Sequence, residues 1–347
     1  MQVTRSMLEE AVATGVISSP QAGALWDFLS LRERDTPSFK PAHVLYYLGG
    51  MIAIGAMTLF MTLGWERFGG GGLLAVSAAY AIVALALAER FLARPGFAIP
   101  AGIAATLAVV MVPLGVYGLQ HLLGFWADGP RASTYRDYHR FIDWRWLVME
   151  LATLGAAAVA LWRYRLPFLV MPVAVTLWYM SMDLTPFLFG REDTSWDLRK
   201  LVSLWFGLLM LLVAFWIDLR TRSGKDFAFW LYLFGMFAFW GGLTLTPSQS
   251  AWSALGYLAI NLLLLVLGPI LGRRVFTVFG GLGVAGYLSY LAYGAFKISL
   301  LLPFILSAIG LAIVYLGIVW QRHEARIGAR LRGWLPEPMR ALVQRQE

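Results

Sequence analysis

The sequence predicts an all-α fold, a polytopic integral membrane helical bundle of about ten transmembrane helices behind a short N-terminal cytoplasmic helical hairpin. Two compositional observations carry this. Of the 347 residues, 59% are hydrophobic and 14% charged, where soluble domains hold roughly 45–50% and about 25%. The mean hydropathy of +0.66 accompanies 15 Trp, 22 Phe and 35 Gly, residues that stand in bilayer spans where a soluble protein carries charge. The third observation is the pattern: apolar runs of about 20 residues, enough to cross a hydrocarbon core about 30 Å thick, recur between short connections.

Residues 1–42 read as two short helices. Ser6, Met7, Leu8 and Glu9 have the spacing of a capping box, Gly15 suits a left-handed helix stop, and Ser19 before Pro20 supplies an N-cap with proline at the first helical position. Leu8, Val12, Ile17, Leu25, Phe28 and Leu29 form the expected shared seam. A DNA-reading helix pair is disfavoured, since Arg5, Arg32 and Arg34 are outnumbered by Glu9, Glu10, Asp27, Glu33 and Asp35. The net charge of +8 is spread over loops, not gathered on one soluble face, so no nucleic-acid partner is expected.

Residues 43–320 hold the spans, at 43–64, 72–91, 97–123, 146–162, 166–189, 201–217, 227–245, 252–271, 275–296 and 299–320. The first apolar run starts too far into the chain for a secretory signal, so the N-terminus is expected to be retained. A cytoplasmic N-terminus puts most of the 28 Lys and Arg on the inner side, including Arg90, Arg94, Arg163, Arg165, Arg220, Arg222, Lys225, Arg273 and Arg274. The same orientation sets Trp162, Trp216 and Trp320 at inner ends and Trp65, Trp126, Trp146 and Trp252 at outer ends, as aromatic belts require. The expected location is a bacterial inner membrane with both termini cytoplasmic. Residues 321–347 form a basic tail in which Arg322, Arg326, Arg330, Arg332, Arg340 and Arg345 alternate with Leu331, Trp334, Leu335, Met339 and Leu342. Such a segment is expected to lie on membrane lipids with its cations on anionic headgroups, each worth about 1 kcal/mol.

The run Leu8, Glu9, Glu10, then Gly15, Val16, Ile17, Ser18 with Gln21, and a first span opening Tyr46, Tyr47, Leu48, Gly49, Gly50 resembles a group of bacterial predicted membrane proteins, domain of unknown function twenty-one fifty-seven. The resemblance covers about the first quarter of the chain. After the first span, Gly64, Trp65, Glu66 and Arg67 stand where many members have an Asn-Trp pair. What the resemblance implies is a layout, a helical hairpin before a multi-span body, and no activity.

The absence of cysteine removes disulfide frameworks, cysteine zinc sites, iron–sulfur clusters and thiol catalysis. The four histidines give no pair at matching depth for a haem, so no cofactor is expected. His121, His139, Asp137 and Asp143 lack compact ligand spacing, and the arginines of the same loop repel a cation. Gly69 to Gly72 has no following Lys-Ser/Thr for phosphate, and no nucleophile-elbow or zincin motif occurs.

Ionisable side chains inside spans cost about 2.5–3.5 kcal/mol at the centre, so each is a functional candidate. Glu150, Asp183, His121 and Gln120 fall in the outer third of their spans, and Lys297 at an outer end. Together they predict an outer-leaflet polar cavity for a ligand or ion. The competing explanation is that Glu150 snorkels to the interface and pairs with Arg145 or another loop cation, and that Asp183 caps a helix near Pro186. In the loop 126–145, Tyr138, Phe141 and Trp144 are candidates for contact with a membrane protein partner or a second copy.

Asn261, Tyr287, Tyr290 and Tyr293, the series Gly281, Ala285, Ser289 and the run Ala152, Ala156, Ala160 read as helix-packing features. Five spans followed by five more, with Pro113 and Gly115 in the third and Gly268 and Pro269 in the eighth, have the geometry of inverted repeats. The favoured function is a non-catalytic accessory, scaffold or sensor subunit of a membrane complex. The first alternative is a transporter-like or small-molecule-binding protein using the polar cavity. The second is a membrane transferase using Glu66, Glu150 or Asp183.

Overall fold

A computed structural model describes residues 5–34, 41–64, 68–126, 144–183, 185, 196–221, 225–246, 250–296 and isolated positions between 304 and 315. Among these the chain is helical and contains no strand. The helices are α1 (Arg5–Ala13), α2 (Ser19–Arg34), α3 (Pro41–Gly64), α4 (Gly69–Leu92), α5 (Ala98–Val110), α6 (Val112–Leu122), α7 (Trp144–Tyr164), α8 (Val170–Asp183), α9 (Trp196–Arg220), α10 (Phe229–Thr244), α11 (Ala251–Leu271) and α12 (Arg274–Phe296), with a 3-10 turn at Pro167–Leu169. Among the described residues, five segments are long and apolar enough to cross a membrane: Gly69–Leu92, Ala98–Leu122, Trp144–Tyr164, Trp196–Arg220 and Trp252–Leu271. Nine of the ten expected spans overlap a helix, and the tenth, 299–320, lies almost wholly outside the described residues.

Size sorts the side chains in the reverse of a soluble protein. Ala84, Ala88, Ala101, Ala105, Ala157, Ala174 and Ala214 are buried, while Ile82, Val159, Leu209, Leu262 and Trp162 are exposed. In hydrocarbon, large apolar side chains lose nothing by facing outward, and small ones let helix backbones approach. This is a helical membrane protein.

The chain divides into two compact units, one of residues 1–187 with 223–230 and one of 188–222 with 231–347. The division at 187/188 falls where the fifth expected span ends. In the first unit, α5 and α6 form the hub, packed among α3, α4, α7, α8 and the 3-10 turn. Ala98–Leu122 has 56% of its apolar window buried, against 22% for Gly69–Leu92 and 28% for Trp144–Tyr164. The hub is broken at Met111, since Pro113, at the second position of α6, has no N–H to continue the ladder.

The hairpin forms with two corrections. Gly15 takes φ +75°, and the N–H groups of Gly15 and Val16 donate to the carbonyls of Val12 and Ala11 at 3.1 and 2.9 Å, a Schellman stop. The N-cap of α2 is Ser18 instead of Ser19: the Ser18 N–H donates to Gln21 Oε1 at 2.9 Å, and the Ser18 carbonyl accepts from Ala22 N–H. Ser6 lies within α1, so it is not the expected cap. Leu8 is buried, but Leu25 and Phe28 are exposed, and on α2 Ala22 and Trp26 take the inward positions.

In the second unit α11 and α12 pack closely. Asn261 is fully buried, donates Nδ2 to the Tyr257 carbonyl at 2.8 Å and accepts from Trp240 Nε1 at 3.0 Å. That is the cross-helix role expected of it. The facing small residues are Gly280 and Gly283, both buried, where Gly281, Ala285 and Ser289 were expected, and Ser289 and Tyr290 are exposed. A Cβ on Gly283 falls 2.7 Å from Asn261 Nδ2 and closer still to Oδ1. Gly283→Ala is therefore expected to displace the amide and cost about 1–3 kcal/mol. Adding Asn261→Ala, which vacates that space, should remove most of the extra cost in a double-mutant cycle on unfolding. Strictly additive losses would refute the contact.

Gly268 and Pro269 fall in the last turn of α11, which Gly272 closes at φ 67°. The break at Met111 sits mid-span. The two are therefore not the paired midplane interruptions expected of inverted repeats.

Candidate functional site

α7 turns one stripe inward, Met149, Glu150, Thr153, Ala157 and Ala160, spaced at three and four residues. The expected small-residue run shares only Ala160 with it, since Ala152 and Ala156 are half-buried. Glu150 belongs to the inward stripe, and that decides its environment. It is 8% exposed, and no hydrogen-bond donor reaches either of its carboxylate oxygens. The charged neighbour is Asp183, the last residue of α8, which packs along α7. The two carboxyls are near enough to act on each other electrostatically, and two ionised carboxylates, acceptors only, have no proton to place between them.

Arg145, the expected snorkelling partner of Glu150, is turned elsewhere. Its Nη1 donates to the Phe125 carbonyl, and its guanidinium lies 4.4 Å from the centre of the Trp126 ring. Gln120, 4% exposed, completes this cluster: its Nε2 donates to the Arg145 carbonyl at 3.2 Å, and its Oε1 accepts from Trp126 Nε1 at 3.3 Å. These contacts tie the C-terminal end of α6 to the first turn of α7.

The five expected ligand residues therefore separate. Glu150 and Asp183 are neighbours, Gln120 is committed to the α6–α7 stitch, and His121 is exposed, edge-on to Tyr117 at 6.1 Å. Adjacent helix positions point about 100° apart, so Gln120 and His121 do not share one cavity. Lys297 lies outside the described residues, as do Tyr138 and Phe141 of the expected partner surface. Trp144 is exposed and packs edge-on against Phe125 at 5.6 Å.

Near the pair, Thr153 Oγ1 donates to the Met149 carbonyl at 2.7 Å, and Ser181 Oγ to the Trp178 carbonyl at 2.6 Å. Thr185 is fully buried, and no partner reaches its hydroxyl. No group of three or more His, Asp or Glu converges among the described residues. The donor set is all oxygen, which suits a proton or a hard cation over a soft transition metal.

Sequence reasoning missed a second charged site. Asp218, near the end of α9, and Arg273, between α11 and α12, form an ion pair with side chains 10% and 11% exposed. Arg273 Nε donates to Asp218 Oδ2 at 2.9 Å, Nη2 donates to Oδ1, and the guanidinium lies 5.2 Å from the centre of the Tyr232 ring. The two partners are 55 positions apart, and each sits beside a predicted span boundary, where charge is ordinary.

No family model matches the chain, and comparison with curated proteins and with solved structures gives no match. The chemistry of the site has to come from its own residues.

Proposed function

We propose that this chain is a transporter-like membrane protein that binds a cationic species at the Glu150–Asp183 pair. The observation that carries the reading is Glu150: nine-tenths buried, without a donor to its oxygens, beside a second carboxyl. Two adjacent carboxyls in a low-dielectric site repel each other and are desolvated, so an occupant carrying positive charge is what stabilises them. The wider setting we propose is about ten spans in a bacterial inner membrane, both termini cytoplasmic, the pair in the outer third of the bilayer and the basic tail on anionic headgroups. Membership in domain of unknown function twenty-one fifty-seven is part of the proposal, on the residue pattern of the first quarter.

The test is thermal unfolding of the purified full-length protein, screened over pH and over sodium, potassium, magnesium and calcium. An occupant at a hundred times its Kd stabilises by about 2.7 kcal/mol. Wild type is expected to respond to one condition, and Glu150→Gln and Asp183→Asn to fold without that response. A response unchanged in both variants overturns the reading.

A second reading, an accessory or scaffold subunit, is favoured by Trp144, exposed beside Phe125 at the base of the aromatic loop. Gentle extraction and native mass spectrometry separate the two. A stoichiometric protein partner supports the accessory role, and a lone or homo-oligomeric protein supports the transporter-like one.

A further inference from the structure

A groove of about 270 Å³ runs along the first unit between α4 and the hub of α5 and α6. Small residues create it. Ser77, Ala81 and Gly115 line it where larger side chains would fill the space between the helices, and a Cβ on Gly115 would fall 3.0 Å from Ser77 Oγ. Ala108 and Met111 are buried along the groove, whereas Ala78 and Leu119 are exposed at its edges. The lining is apolar but for the hydroxyl of Ser77, which donates to the Leu74 carbonyl of its own helix at 2.9 Å.

The geometry points to this groove as the seat of a single acyl chain of a membrane phospholipid. Position, length and width commit it to that occupant. Its edges continue into the exposed side chains of Tyr80, Ile82 and Leu122, so it opens on the surface that a helical membrane protein turns to hydrocarbon. Leu74 to Ala81 on α4 covers about 10 Å and Met111 to Leu119 about 12 Å at 1.5 Å per residue, inside one leaflet's share of the hydrocarbon core, about 15 Å. Spread over that length, the volume leaves a mean cross-section of about 27 Å². An α-helix with its side chains, about 10–12 Å across, needs roughly three to four times as much. A groove of this kind left empty forgoes dispersion contacts for every atom that lines it. A hydrocarbon chain supplies them and asks for no hydrogen bond.

The test places the full-length protein in phosphatidylcholine vesicles containing a phosphatidylcholine with a photoreactive diazirine midway along one acyl chain, and maps the adducts by mass spectrometry. Adducts are expected to concentrate on the groove residues Ala78, Met111 and Val116, several-fold above Ala79 and Ile82, which are exposed on α4 but outside the groove. Ala78→Phe should fill the groove and remove that excess, and Ala81→Leu should do the same nearer the break at Met111. Ala79→Phe, at the same depth as Ala78, should leave the excess in place. Labelling spread evenly over the exposed face of α4, or an excess that survives both filling variants, overturns the assignment and leaves only ordinary boundary lipid. Because the chain has no cysteine, Ala78→Cys supplies a single reporter in the same vesicles. Disulfide-linked dimers forming faster than with Ala79→Cys would put a second copy at the groove, and that also overturns it.

Discussion

Arg273→Met alone is expected to destabilise the protein by about 3–5 kcal/mol, and Arg273→Met with Asp218→Leu to restore most of that loss. The asymmetry follows from burial. With both partners nearly out of water, deleting the guanidinium leaves a carboxylate that has lost its two hydrogen bonds and its counter-charge. Deleting both leaves two apolar side chains with no desolvation debt. Arg273→Lys should rescue poorly, because an ammonium does not reproduce the two-pronged geometry on Asp218. Denaturant unfolding in detergent measures all four proteins. A single-variant loss below about 1 kcal/mol would mean that the pair behaves as a surface contact.

The second large effect is expected at Gly207. A Cβ there falls 2.7 Å from the Gly235 carbonyl oxygen and 2.8 Å from Phe239 Cα, with the Phe239 nitrogen nearer still. All three are backbone atoms of α10, so no rotamer change relieves the clash, and α9 and α10 must separate. Overpacking ordinarily costs about 1–3 kcal/mol. Gly207→Leu should exceed that range and sharply reduce the yield of folded protein. Gly155→Leu is the matched control, since nothing lies within 4 Å of its Cβ position and α7 is exposed there. Equal yields of the two variants would refute the close crossing.

Hydropathy alone reveals the helical body, because a span is a local property: α3, α4, α7, α9 and α11 coincide with apolar runs to within a few residues. Facing is harder, because apolar residues surround each helix and the usual hydrophobic stripe disappears. The inward stripe of α7 runs through Glu150, Thr153, Ala157 and Ala160, one step in phase from the Ala152, Ala156, Ala160 face that residue size implies. The same one-residue error puts the α12 contact at Gly281 when it is at Gly280 and Gly283. Position along a span is local, and it picks out Glu150 and Asp183 as candidates. Azimuth is not, and for that reason His121 was grouped with them although it points away from Gln120. The Asp218–Arg273 pair depends on a meeting of distant segments that no local pattern encodes.

The stitch between α6 and α7 bears on how this chain tolerates change. Gln120, Phe125, Trp126, Trp144 and Arg145 fasten the two ends of segment 127–143 to the helical body. With both anchor points held by their own contacts, a longer connection costs only loop-closure entropy, about 0.6 kcal/mol for each doubling. The junction of α6 and α7 is thereby set by contacts among residues on either side of that segment.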